Sequence, residues 1–586
     1  MMHRWNTKGK VPLSIYALLW LTSGFGSSLS AQQTTRLHEA DAAFRAGYAA
    51  AASGDLATAR QQFERVVQLA PQIEEGHSAL GSVLCQTGDY AAAVRELEKA
   101  LALKPADKSA QENLAIAYTQ TGNPQKALLL FEKIDSADPL VLAAYARALA
   151  ATGRLPEALD KTQRAIHEAP QNAVLYDQLG TLEAQTQNWP EARNAFEHAL
   201  QLDPHLAAAH MHLGAAFNHM QQPQSAIPEL TEALHLDPKN AIAHLELGKA
   251  LAASDQDDAA IPHFRQALSL DPSLTEAANQ LAMALQRTGQ ENEAIPLFQK
   301  VIAADPANTS ALTNIGLALV QTGHAKDAVS YYRRALALAP QDATTHQDLG
   351  VAYLQQSDIE DAIREFQAAL AIAPDTPQLH YNLGLAYKLK DDLARAVPEL
   401  ETAARLDPSS PDPRYTLGVL YMQQGRFDDA AAELRTALDR RPGNGDGWAL
   451  LGSIYKQQAK YDDAARALRM AIQLLPNQPG PHITLASVLQ EQGKREEAAA
   501  ERKIAADLTR VAVNRQRAIF ATNTGNALLQ KGEVADAISR YQEAISSDPA
   551  YAEAHRQLAL AYERQGRSAD ADAERKKAAA LEPGHP

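Results

Sequence analysis

The sequence predicts an all-α solenoid of about sixteen 34-residue helix–turn–helix repeats. Three observations predict it. Prolines recur on a 34-residue beat, from Pro170 through Pro204, Pro238, Pro272, Pro306, Pro340, Pro374, Pro408 and Pro442 to Pro476. Small residues recur at fixed places within that beat. The chain is 46% hydrophobic but only 6% aromatic, a composition that builds a core from closely packed Ala and Leu helices rather than from a β-sandwich.

The unit Thr309 to Asp342 shows how each element arises. Leu312, Ile315, Gly316 and Leu319 fall on one face of a first helix, and Ala328, Tyr332, Ala335 and Leu336 on one face of a second. Spacings of three and four mark amphipathic helices. A hairpin this short cannot bury its apolar face alone, so it stacks on its neighbours. Gly323 sits where the first helix ends and suits a left-handed cap. Pro340 closes the second helix, because proline cannot continue one and restricts the residue before it.

Setting each proline at position 32 extends the pattern to Pro71, Pro105, Pro139, Pro549 and Pro583 and defines sixteen units, Ala40 to His585. Position 8 is Gly or Ala throughout (Gly47, Gly81, Ala115, Gly180), and position 20 is always Ala (Ala59, Ala328, Ala571). Small residues there let the two helices approach closely. Position 7 is usually Leu, and position 24 is often Phe, Tyr or Leu, filling the remaining space. Acids gather at the start of second helices, as at Asp428, Asp429, Asp462 and Asp463. They read as stabilising partners of helix N-termini, not as catalytic carboxylate pairs.

The recurrence of Leu-Gly, Tyr, Ala, Phe, Ala and Pro, legible in HYNLGLAYKLKDDLARAVPELETAARLDP from His380 to Pro408, resembles the tetratricopeptide repeat (TPR) family over residues 40–585. The family's tryptophan position departs here: it holds His77, His210, His244, His346, His380, His482 and His555, with Trp448 the one tryptophan. The resemblance implies a right-handed superhelix whose concave face binds extended peptides through positions 2, 5, 6, 9, 12 and 13 of each unit. Position 6 is mostly polar: Gln178, His212, Glu246, Gln280, Asn314, Asp348, Asn382 and Thr416. Position 13 is repeatedly glutamine, including Gln321, Gln355, Gln423 and Gln457, and apolar positions such as Leu317 lie between. Amide side chains both donate and accept, so they can pair with a peptide backbone of any sequence. The arrangement is similar to the asparagine ladder in the repeat region of O-linked N-acetylglucosamine transferases, whose catalytic half is absent here. The Lys/Asn/Arg carboxylate clamp of chaperone-adaptor TPRs has no counterpart in three successive units; Lys249 is alone at its position, and Lys388 and Lys456 are separated.

Two irregularities interrupt the beat. The unit closing at Pro170 is three residues short, which we place at the start of its first helix. At 507–518 the closing proline is replaced by Arg510, and Val513 to Arg517 are inserted. Arg495–Phe520 lacks Gly and Pro and reads as one extended helix, or a hinge, that reorients the last two units. The expected organisation is a signal peptide at 1–31, a short linker at 32–39, repeats 1–14 at 40–512, the insertion at 513–517, and repeats 15–16 with a C-terminal cap at 518–586.

The start differs in composition. Arg4, Lys8 and Lys10 precede an apolar stretch, Val11 to Leu21, and then SGFGSSLSA. This is the layout of a secretory signal peptide cleaved after Ser30 or Ala31. The alternative is an uncleaved anchor tethering the chain to a membrane. Export implies a periplasmic or cell-envelope location. No later segment has the roughly 18 continuous apolar residues of a membrane span.

No P-loop, Rossmann glycine fingerprint, G-x-S-x-G or H-E-x-x-H occurs, so no catalytic residue, cofactor or metal is assigned. The histidines in register stand a whole repeat apart, not at the three- or four-residue spacing of ligands on one helix. His205, His210 and His212 are dense but point differently. A net charge of −15 disfavours nonspecific nucleic-acid binding. With Cys85 the single cysteine, no internal disulfide forms. The expected function is an exported scaffold for protein or peptide partners. Alternatives are a structural accessory of envelope polysaccharide or pilus export, and a substrate-recruiting partner of a separately encoded glycosyltransferase.

Overall fold

A computed structural model describes residues 31–581; the expected signal segment lies, but for Ala31, outside the described residues. The described residues form 31 helices and no strand. They fall into two compact units, Met1–Ala318 and Leu319–Pro586.

Within both units a hairpin pairs a first helix of about 13 residues with a second of about 14, as in Pro377–Leu389 with Leu393–Leu406. First helices often begin behind an Asp or Asn at position 34: the side chains of Asp107, Asn240 and Asn444 each accept a bond from a backbone N–H two or three residues on. This satisfies donors that the helix leaves open. Every hairpin turn holds one residue in the left-handed region. Ten are glycines, such as Gly88 at φ 80°, and six are not: Gln187, Gln221, Asp255, Ser357, Asp391 and Ala459. Their sum is sixteen, one per repeat. Among the described residues, the residue before a closing proline is extended, as Ala339 is at φ −130°, ψ 75°.

The small positions act as expected. All sixteen alanines at position 20 are fully buried. A Cβ added to Gly180, Gly248 or Gly350 would lie 2.5–2.6 Å from the ring of Phe196, Phe264 or Phe366. Position 8 therefore carries the contact with position 24 of its own hairpin, and at these glycines even the Cβ of alanine would make the ring or the helices shift.

Three expectations change. Residues 32–39 are not a linker; they begin the helix Ala31–Ser53. The three-residue deletion lies one helix earlier than read. Pro139–Ala151 keeps its full 13 residues, whereas the preceding second helix, Pro124–Phe131, has only eight. Pro139 does not close a helix: it occupies the first turn of one, where its missing N–H costs nothing, behind the Asp138 cap. Finally, the extended helix does not stop at Phe520. It runs without a break from Arg495 to Gln530, 36 residues, with the insertion inside it. No glycine or proline interrupts 495–520, so the second helix of repeat 14 continues directly into the first helix of repeat 15.

Candidate peptide-binding surface

Position 6 lies on first helices, two residues before the glycine contact, and this keeps its side chain close to neighbouring repeats. Three of the predicted residues are used by the chain itself. Gln178 donates to the Ala143 carbonyl at 3.0 Å and to Thr162. His212 Nδ1 meets Asp177 at 2.8 Å. Glu246, buried, accepts from Asn218 at 2.8 Å and from Lys249 at 2.9 Å. A fourth, Asn382, is buried and accepts from Gln378, leaving its own amide N–H groups without a partner among the described residues.

Gln280 is different. It is half-buried and lines a cleft of about 810 Å³ with Asn218, Lys249 and Arg287. These occupy positions 6, 12, 9 and 13 of repeats 6 to 8, so one cleft collects several of the groove positions. Its two cations are matched already: Lys249 by Glu246 and Glu276, Arg287 by Asp257. The cleft is therefore a mixed polar surface and not an anion site.

Asn314 and Leu317 are half-buried on the helix Thr309–Gln321, whose last residue, Gln321, is exposed. In the second unit Asp348 is half-buried on Ala343–Gln355; burial, then the nearby Asp342 charge, push its carboxyl up to about 6. Gln355, Gln423 and Gln457 are exposed at the last residue of their first helices. The two predicted rows thus differ: position 6 is mostly drawn into the protein, and position 13 faces solvent.

The histidines in register have a structural task. His77, His210, His346, His380 and His555 each place Nδ1 on a glutamate 19 residues later and donate Nε2–H to the carbonyl of the preceding closing proline; for His380 these are Glu399 at 2.6 Å and Pro374 at 2.8 Å. Trp448 makes the same bond to the Pro442 carbonyl. Each ring ties the inter-repeat loop to its own hairpin. Burial lifts the Glu96 carboxyl, but bonds from Lys99 and His77 outweigh it and hold it below the usual range. Repeat 7 departs from this: His263 replaces the glutamate, 3.1 Å from His244, and burial followed by the His244 charge lowers its pKa. Sequence reasoning missed this clamp, although the glutamate 19 residues after six of the seven histidines was visible. Among the described residues no group of three or more His, Cys, Asp or Glu is placed to hold a metal.

Stacked helical hairpins with fixed turns and a polar first-helix surface define a helical repeat scaffold. The chain belongs to the tetratricopeptide repeat family. Models of tetratricopeptide repeats match residues 41–72, 78–141, 139–160, 219–274 and 525–566. A model described as the C-terminal domain of cilia and flagella-associated protein 70 matches 276–520. Curated proteins return no match. Similar solved structures include YrrB, described as a TPR protein with an unusual peptide-binding site, at 23% identity over 30% of this chain and 92% of that one, TM-score 0.28. MamA of Desulfovibrio magneticus RS-1 is 24% identical over 29% and 95%, TM-score 0.28. The Cut9–Hcn1 assembly of APC/C is 17% identical over 91% and 99%, TM-score 0.32.

Proposed function

We propose that the protein is an exported scaffold of a bacterial periplasm or cell envelope that holds extended segments of partner proteins along its first helices. The observation that carries this reading is the cleft at Gln280, assembled from groove positions of three successive repeats. The exposed glutamines of position 13 support it, because amides bond a peptide backbone without regard to its side chains. The test is crosslinking capture from envelope fractions. Replacing Gln280, Gln355, Gln423 and Gln457 together with Ala removes or weakens the captured partners; an unchanged set sinks the groove reading. Export is checked separately by mass spectrometry of the mature N-terminus, expected to begin at Ala31 or Gln32, whereas retained Met1 overturns cleavage.

A further inference from the structure

The long helix Arg495–Gln530 leaves a stacking surface uncovered. In a regular repeat, position 3 of the first helix packs on the second helix of the repeat before it. A Cβ at Gly76 would lie 2.8 Å from Val66, and one at Gly447 would lie 2.9 Å from Leu438. Position 3 is accordingly buried in every repeat from the second to the fourteenth, and again in the sixteenth at Ala554. In repeat 15 it is Phe520, which is 76% exposed. The cause is geometric. Residues 518–530 continue the same helix as 495–508, and one uninterrupted helix cannot fold back to pack on itself. The apolar core is interrupted at the same place: Ala498 belongs to the cluster before the break, Ala518 and Ala521 to the one after, and between them only Ala505 is a buried apolar residue.

Two grooves of about 680 and 840 Å³ run along this uncovered face and share Val513 and Arg517. Along them Arg502, Ala506, Thr509, Val513, Phe520 and Thr524 line the surface at intervals of three, four and seven. That spacing is one stripe of one helix, about 33 Å long. Ile483 of the helix Pro479–Glu491 flanks one end, and Arg540 of Val534–Ser547 the other. A stripe with this period is complemented by another helix laid along it. The charge points to one kind of helix. The grooves are lined by Arg502, Arg510, Arg517 and Arg540 and by a single carboxylate, Glu543; Arg540 is paired with Glu543 and Arg510 with Asp507, which leaves Arg502 and Arg517 as the cations open to a partner on a chain whose net charge is −15. Arg517 makes no ion pair or hydrogen bond among the described residues, and Arg502 bonds only to the neutral Gln490.

We propose that this face is a second docking site, outside the peptide groove, and that its occupant is an acidic amphipathic α-helix of a partner protein. The partner helix takes the place that a preceding second helix holds elsewhere in the array. Its apolar stripe covers Ala506, Val513 and Phe520, and its flanking carboxylates meet Arg502 and Arg517. A second copy of the same face is disfavoured because it would bring arginines against arginines.

The probe is a labelled synthetic helix of roughly 20 residues, long enough to span the same 30 Å or so, with leucines at intervals of three and four and glutamates beside them. Its binding to the full chain is read by fluorescence anisotropy. The acidic helix binds, and added salt weakens it. Val513→Asp and Phe520→Asp each weaken it at least about tenfold, since either places a charge under the apolar stripe. Arg502→Glu with Arg517→Glu has a comparable effect. Phe520 is exposed, so these variants keep the wild-type circular dichroism and melting temperature. Gln355→Ala with Gln423→Ala leaves the affinity unchanged, which separates this site from the groove. The proposal is overturned if the acidic helix fails to bind, if a lysine-for-glutamate version binds equally, or if Phe520→Asp has no effect. It is also overturned if the wild type sediments as a dimer that Phe520→Asp dissociates, because the occupant is then a second copy.

Discussion

Phe366 and Phe520 belong to the same family of stacked hairpins and meet opposite fates. Phe366, at position 24 of repeat 10, is sealed between Gly350 and the surrounding helices. Phe520, at a position buried in almost every other repeat, stands in solvent. Residue type alone does not separate them, since both are phenylalanines on helices of the repeat array. The difference is whether a neighbouring hairpin arrives to cover the side chain. In a repeat protein each unit borrows half its core from the next, so one uninterrupted helix exposes what a turn and a proline would have hidden.

The largest test of that contrast is truncation. Phe366→Ala lowers stability by about 3–5 kcal/mol, the range for deleting a buried ring, whereas Phe520→Ala changes it by no more than about 0.5 kcal/mol. Chemical denaturation of the two variants measures both, and equal losses break the comparison. A second test asks whether covering also desolvates. Asp348 inside the regular stack is pushed up to about 6 by burial. Its folded pKa lies above its unfolded one, so the neutral form is favoured in the fold. The resulting stability is fully present below about pH 4 and is lost as pH rises through about 6. Asp348→Asn removes this dependence and is more stable than wild type at pH 7.5 by about 2 kcal/mol; melts from pH 4 to 8 decide it, and a flat wild-type profile refutes it. The smallest test concerns turns, which the break does not touch. Ala459→Gly relieves a left-handed alanine and stabilises by about 0.5–1 kcal/mol, while Gly493→Ala, beside the break, costs about as much. Unequal magnitudes in the two regions would mean that the turns feel the stacking.

Much of the fold was legible because its determinants repeat. Sixteen alanines at position 20, the glycines facing position 24, and the prolines after extended residues each report a local steric demand, and sixteen copies average out exceptions. The three-residue deletion was misplaced because Pro139 keeps the beat while serving the opposite purpose, opening a helix behind Asp138. The candidate site was legible only in part. Gln178 and Gln355 are the same residue type on equivalent helices, yet one bonds the Ala143 carbonyl and the other faces solvent. That outcome depends on position along the helix and on which carbonyl of the neighbouring repeat lies within reach.

By itself the sequence determined the hairpin: its helices, its turn, its small contacts and its period, all set by forces acting within about 34 residues. Only the tertiary structure decided which surfaces those hairpins share. It assigned the histidines to loop clamps, gathered Gln280, Lys249 and Arg287 into one cleft, and left Val513 and Phe520 without a cover. The physical reason is that burial is a property of neighbours, and a residue's neighbours in a stack come from the next repeat, not from its own.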